Sequence, residues 1–296
     1  MSEVVRAVLS SDERYAFIAL PCYVKSLRLL IKRMPLLKKR IKFIFGITCS
    51  HTVNKMYSEY ICAQGGCNPK TVENLSFRVK DTRGGAIDHY AEISCVTDSQ
   101  QKKQGRVSFR RKLRHIWENR YFVPNACNFC DDIFAELADI SFMDAWLPEY
   151  IKDPLGTSLL LVRDKQVLDI LKKMDDKNIK LEPVNIQKVI QSNRDVIFSK
   201  RRDISERIAY CLGKGEDVPD KRTDLLHKRT GFWSRIEIRI KMLISRRSNE
   251  QWIASEKDIK VFSSKMRKYE MGLSLIRKIR KLKNMITLFR YKSKKG

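Results

Sequence analysis

Two cysteines, Cys127 and Cys130 in "ACNFCDDIFAELADISFMDAW", form the one C-x-x-C of this chain. Thiols at that spacing can grip a metal or cluster, exchange a disulfide, or fill a core. Disulfide exchange favours a pair at a strand-to-helix turn, where the helix N-terminus supports a thiolate. Here Asp131 and Asp132 follow and would oppose one. A zinc ribbon wants a second C-x-x-C, which the sequence lacks. A metal or cluster site would therefore draw on distant cysteines among Cys22, Cys49, Cys62, Cys67, Cys95 and Cys211. Cys22 and Cys49 stand apart, because each follows an apolar run that reads as a strand, "FIALPC" and "FIFGITC". Adjacent parallel strands would bring their C-terminal ends together, at the edge where open α/β sheets place ligands. Buried thiols are also common as plain core residues, and both readings stand at this point.

Other residues carry weaker signals. Thr157 and Ser158, after Gly156, could hydrogen-bond a phosphate at a loop. Trp146 could stack on a cofactor ring or anchor a loop. Asp139 and Asp144 flank a strand and read either as acceptors behind a bound group or as turn and cap residues. His51, His89, His115 and His227 show no ligand spacing, and neither a Walker loop nor G-x-G-x-x-G occurs.

The elements that must position these residues follow from periodicity. Residues 3–9 read as a short amphipathic helix, Tyr15–Leu20 as a strand and Tyr23–Met34 as a helix. Residues 40–49 form a second apolar strand and 51–65 a helix. Alternation over 72–81 and 85–98 reads as antiparallel strands. Strands follow at 138–146 and 156–164, then a helix at 165–174 and a short strand at 179–185. The predicted fold is α/β, a mixed sheet with flanking helices, over residues 1–190. Residues 191–296 read as a basic, mainly helical extension.

Of 296 residues, 60 are Lys or Arg and 34 Asp or Glu, a net charge of +26. Residues 197–296 hold 28 basic and 11 acidic side chains, so this third supplies most of the excess. Such asymmetry points to an anionic partner or to simple solubility. Few aromatics interleave with these charges, which speaks against nucleic acid. From Lys265 onward, Tyr269, Leu273, Ile276, Ile279, Leu282, Ile286 and Phe289 recur at helical spacing amid basic residues. That pattern predicts either a helix on an anionic membrane surface, through residues 265–296, or a packed helix. No run of about 18 apolar residues and no leader-like start is present, so the reading is cytoplasmic, with membrane association through the tail. The eight cysteines then read as thiols or metal ligands rather than as a disulfide scaffold.

Five segments, in order, resemble one family. "ALPCYVKSLRLL" resembles G-T-P-C-Q-x-x-G-L, and "FGITCSHTVNKMYSEYI" resembles F-C-H-G-x-x-S followed by a helix. "VENLSFRVKD" is similar to its I-x-x-(I/F)-x-F-R-x-K strand. "CNFCDDIFAELADISFMDAW" resembles C-x-x-C-x-(F/Y) running on to D-I-(T/S)-x-G-D-(F/A)-W, and "GTSLLLVRD" resembles G-(T/V)-S-L-x-x-V-R-T. This is the beta subunit family of coenzyme F420 hydrogenases and dehydrogenases, which includes bacterial members found beside polysaccharide genes. The resemblance spans roughly residues 3–190. It implies an α/β flavoprotein with one 4Fe–4S cluster, and its four cysteine positions match Cys22, Cys49, Cys127 and Cys130. It further implies FAD, with Trp146, Thr157 and Ser158 as the candidate contacts, and a ferredoxin-like donor or redox partner subunit. The implied activity passes electrons between that donor and a flavin or deazaflavin acceptor.

This sequence also departs from the pattern. The family's ferredoxin segment and S-S-G-G stretch are not in it, so FAD is expected to bind weakly to the chain as given. Tyr23 replaces glutamine, Ser26 replaces glycine, the histidine shifts to His51, and G-D becomes Met143–Asp144. The alternative reading is a degenerate paralogue, a basic membrane-surface or partner-binding protein in cell-surface polysaccharide synthesis.

Overall fold

The computed structural model describes residues 2–97, 99–174, 179–221 and 230–292. In chain order the elements are α1 (Ser2–Leu9), β1 (Tyr15–Ala19), α2 (Pro21–Arg33), α3 (Pro35–Arg40), β2 (Ile41–Ile47) and α4 (Lys55–Gln64). Then come β3 (Val72–Lys80), β4 (His89–Val96), β5 (Lys102–Ser108), α5 (Arg114–Glu118), β6 (Ile140–Asp144), β7 (Ser158–Val162) and α6 (Lys165–Lys173). The chain closes with α7 (Ile186–Ser192), α8 (Arg194–Ile197), α9 (Ile204–Leu212), α10 (Phe232–Ala254) and α11 (Ile259–Lys292). The α/β reading with a helical C-terminal region holds. By contacts the chain forms two compact units, residues 1–50 with 130–200, and residues 51–129 with 201–296. The boundary drawn at residue 190 follows a change of composition, whereas these units are each built from two separated stretches.

In the first unit a four-stranded sheet runs β1-β2-β6-β7. β1, β2 and β6 are parallel and β7 is antiparallel to β6, so the sheet is mixed. Pro21 follows β1 with one residue between them and opens α2, since a proline at the first helical turn forfeits no hydrogen bond. Pro35 restarts the chain as α3 in the same way. Val8, Val24, Leu27, Leu37 and Ile44 are buried together, setting α1, α2 and α3 on one face of the sheet. Arg40 donates to the carbonyls of Val8 (3.0 Å) and Leu9 (2.8 Å), which the end of α1 would otherwise leave without partners.

The second unit packs a three-stranded antiparallel sheet, order β3-β4-β5, against α4, α10 and α11. Every other residue of β4 is buried, His89, Ala91, Ile93 and Cys95, as period-two burial requires. Tyr60, Phe122, Trp252 and Phe262 share the core, with ring centroids 5.3–6.1 Å apart. Burial pushes the phenol of Tyr60 up to about 12. Inside the core the Ser248 hydroxyl accepts the N–H of Phe122 (2.8 Å), and the Ser245 hydroxyl donates to the carbonyl of Val123 (2.8 Å).

Four expectations need correction. Residues 179–185 form no strand, in keeping with Pro183, which has no N–H to offer a ladder. β5 is a strand that periodicity did not give, because Lys102–Arg106 is almost wholly polar and only Val107 is buried. Cys67 and Cys95 form a disulfide, so not every cysteine is a thiol or metal ligand. The apolar row of the last helix is also not a free membrane face. Leu273 is buried with Phe262 and Met266 in the core of the second unit, and Tyr269 packs against it. Leu282 is exposed, and the side chains of Ile286 and Phe289 lie outside the described residues. The membrane reading is therefore withdrawn for the packed part of the row. Among the described residues no helix is long and apolar enough to cross a membrane.

Candidate functional site

Because β1, β2 and β6 are parallel, their C-terminal ends share one edge of the sheet. Cys22 lies in the first turn of α2, directly after β1, and is exposed. Cys49 comes just after β2 and is half-buried. Trp146 comes just after β6 and is 40% exposed. The antiparallel β7 begins at the same edge, where Ser158 pairs with Asp144 and the carbonyl of Thr157 accepts the N–H of Ala145 at 2.9 Å. Gly156, at φ 82°, makes the left-handed turn that delivers Thr157 and Ser158 there. Leu155, 71% exposed, adds to the apolar surface of that turn.

The segment that starts at Cys130 is fastened to this edge. The N–H of Cys49 donates to the carbonyl of Ile133 (3.1 Å). Further along, Asp139 clamps the sheet: its carboxylate accepts the N–H of Ile44 (2.7 Å) and the guanidinium of Arg28. Asp139 is thus a structural residue, in line with the turn-and-cap reading. At the end of β2, Gly46 is obligatory. A Cβ there would stand 2.3 Å from the Cβ of Ala135, far inside contact distance.

Charge around Cys130 differs from what its sequence neighbours suggested. The carboxylate of Asp132 accepts the N–H of Glu136 at 3.2 Å. Its backbone carbonyl accepts from the Cys130 thiol at 3.5 Å. The ammonium of Lys200, 3% exposed, donates to Cys130 Sγ (3.0 Å) and to the carbonyl of Asp132 (2.8 Å). Sequence reasoning missed Lys200, one basic residue in "FSKRRD" with no spacing to mark it. It also missed Thr48, whose hydroxyl is buried and has no hydrogen-bond partner among the described residues.

Cys127 belongs to the other unit, in the 3-10 turn Asn125–Phe129, where its N–H donates to the carbonyl of Pro124 (3.0 Å). Of the remaining cysteines, Cys62 and Cys211 are buried core residues, and burial pushes both thiols up. Among the described residues no group of three or more His, Cys, Asp or Glu side chains is gathered closely enough to hold a metal ion.

The sequence profile for the C terminus of the coenzyme F420 hydrogenase/dehydrogenase beta subunit matches residues 12–187, more than half of the chain. The chain belongs to that family. The motif resemblance therefore identified the family correctly, and the matched region takes in β1 through α6 with the whole sheet edge described above. No curated protein sequence matches the chain. Among solved structures, a chain of the F420-reducing [NiFe] hydrogenase complex from Methanosarcina barkeri matches with 15% identity and a TM-score of 0.44. The match covers 70% of this chain and 66% of that one, so this chain spans slightly less than two thirds of its length.

Proposed function

We propose that this family member is an oxidoreductase subunit that carries a 4Fe–4S cluster on Cys22, Cys49, Cys127 and Cys130. It would pass electrons between a ferredoxin-like donor and a flavin or deazaflavin acceptor. One observation carries the reading: Cys22 and Cys49 follow closely on adjacent parallel strands, and the Cys130 segment is hydrogen-bonded to Cys49 through Ile133. Four thiolates are the usual ligand set of such a cluster, and the buried Thr48 hydroxyl beside Cys49 is a donor with no acceptor among the described residues. The four thiols suit the group in chemical type, although among the described residues no three such side chains are gathered to hold a metal ion. The bound cluster would supply one-electron chemistry, and the protein's part is to hold it and set its potential.

The flavin would lie along the same edge. Trp146 and Leu155 offer exposed apolar surface for a ring, while Thr157 and Ser158 offer hydroxyls at the Gly156 turn. The positive excess of residues 197–296 suits a redox partner with an acidic surface.

Purification without oxygen, followed by iron, sulfide and flavin analysis, tests this. The expected result is matched iron and sulfide with a visible absorbance that bleaches on reduction. Serine at Cys22, Cys49, Cys127 or Cys130 should abolish the iron, while Cys62→Ser and Cys211→Ser should keep it. Zinc without sulfide would end the redox reading.

A further inference from the structure

We propose that a cleft between the end of α5 and one face of α11 binds the phosphomonoester group of a small ligand. The inference stands apart from the four-thiolate reading, because every residue in it belongs to the second unit.

The cleft has a volume of about 290 Å³, at the small end for ligand sites, which run from about 300 to 1,000 Å³. Asn119, the residue that ends α5, forms one wall. On the other wall α11 presents Ser274, Arg277, Lys278 and Lys281, with Leu273 buried beside them. These positions recur at three- and four-residue steps, so one helix face gathers three cations and a hydroxyl. Glu270 lies at the far end, roughly two helical turns before Arg277. Its carboxylate already accepts the Tyr121 hydroxyl (2.6 Å) and lies 3.9 Å from His115 Nε2.

Positive charge here exceeds what the neighbouring carboxylates offset. The single carboxylate of Glu237 receives Arg277 (3.1 Å), Lys241 (3.3 Å) and Arg280. Burial pulls the ammonium of Lys241 below its ordinary range; Glu237 opposes that, while Arg277 and Arg120 add to it. Lys278 and Lys281 are exposed and have no ion-pair partner among the described residues. An anion in the cleft would meet this excess. A phosphomonoester suits it best, with a charge of about −1.5 to −2 at neutral pH and three strong acceptor oxygens. A guanidinium beside two ammonium groups matches those oxygens, whereas a carboxylate brings one charge and two oxygens. Asn119 Oδ1 accepts from Arg277 (2.9 Å), which ties the guanidinium to the wall and leaves the amide N–H groups to donate.

The experiment titrates the full chain with glycerol 3-phosphate by isothermal calorimetry at low salt. Wild type should bind saturably, and Lys278→Gln/Lys281→Gln should weaken binding about tenfold or more. Lys260→Gln/Arg267→Gln removes the same charge from exposed positions of α11 outside the cleft and should bind as wild type does. Equal weakening in both double variants, or in neither, would overturn the proposal, since it marks general attraction to a chain of charge +26. Acetate at matched ionic strength should not displace the ligand, and equal displacement would overturn the choice of phosphate. Should the first double variant lose its fold by circular dichroism, Lys281→Gln against Arg267→Gln carries the same comparison. Vesicles of phosphatidylcholine with phosphatidic acid present the same group on a surface. Binding of glycerol 3-phosphate assigns the site to a free ligand. Flotation on those vesicles alone, lost in Lys278→Gln/Lys281→Gln, assigns it to a lipid headgroup. Binding of neither overturns it.

Discussion

Gly46 shows how tightly the candidate edge is built. Its missing Cβ leaves room for Ala135, and Ala138 Cβ and Ser141 Oγ would each stand 3.0 Å from an added methyl. Gly46→Ala should therefore push the 133–138 segment off the end of β2, at a cost of about 1–3 kcal/mol. Thermal unfolding of the metal-free protein measures that loss. Iron uptake should fall with it, because the same segment holds the hydrogen bond between Ile133 and Cys49. The sequence announced only part of this. Strand-end position picked out Cys22 and Cys49, because a C-terminal strand end can be read from an apolar run. It could not pick out Lys200, whose importance comes from a partner 70 residues away. Nor could it give the Cys67–Cys95 bridge, since 28 residues separate the two sulfurs and β3 must first pair with β4.

Among the elements, α10 and α11 carry most of the late charge, and part of it is structural. Glu237 on α10 is 6% exposed and receives Arg277 (3.1 Å), Lys241 (3.3 Å) and Arg280. Burial pushes its carboxyl up, but Lys241, Arg280 and Arg277 outweigh burial and hold it below the usual range. Glu237→Gln would leave three cations facing one another without their shared anion. We expect a loss of about 1–3 kcal/mol, kept small because both arginines are partly solvated. The pH dependence comes from the depressed carboxyl. Its contribution is complete above the ordinary glutamate value of about 4.3 and disappears as the pH falls through the lower folded value. Melting temperature against pH should show wild type ahead of Glu237→Gln at neutrality and converging with it in acid. The apolar row of α11 was visible in sequence as a helix, but its destination was not. Periodicity states that one face is apolar, and only packing tells whether protein or lipid covers it. The polar run of β5 failed for the complementary reason, since one buried valine is too little to show a period of two.

For the molecule as a whole, the two-unit division makes a sharper claim about truncation. Residues 1–190 read as a domain because composition changes there. Yet the core around Tyr60 and Phe122 is completed by Trp252, Phe262, Met266 and Leu273. A chain ending at residue 200 should therefore expose that aromatic cluster, bind a hydrophobic dye and aggregate, while residues 1–296 stay soluble. Solubility and dye fluorescence of the two chains, compared at equal concentration, check this. Stable, dye-silent behaviour of the shorter chain would show that 1–190 is self-sufficient after all.

The same interleaving sets a timetable for synthesis. The contact between Ile44 and Asp139 that joins β2 to β6 spans 95 residues, so the parallel sheet must wait for its central partner. Closing a flexible loop of that length carries an entropy cost that grows with the logarithm of its length. Pairings so remote in sequence belong to slowly folding topologies. Until β6 has left the ribosome, β1 and β2 stand as a two-stranded ribbon, and Ile44 lacks Ala135 and Ala138, which share its buried cluster in the finished fold. The aromatic core of the other unit then waits longer still, for α10 and α11. The nascent chain is thus most open to chaperones, and to self-association, during the long interval between its second strand and its last helix.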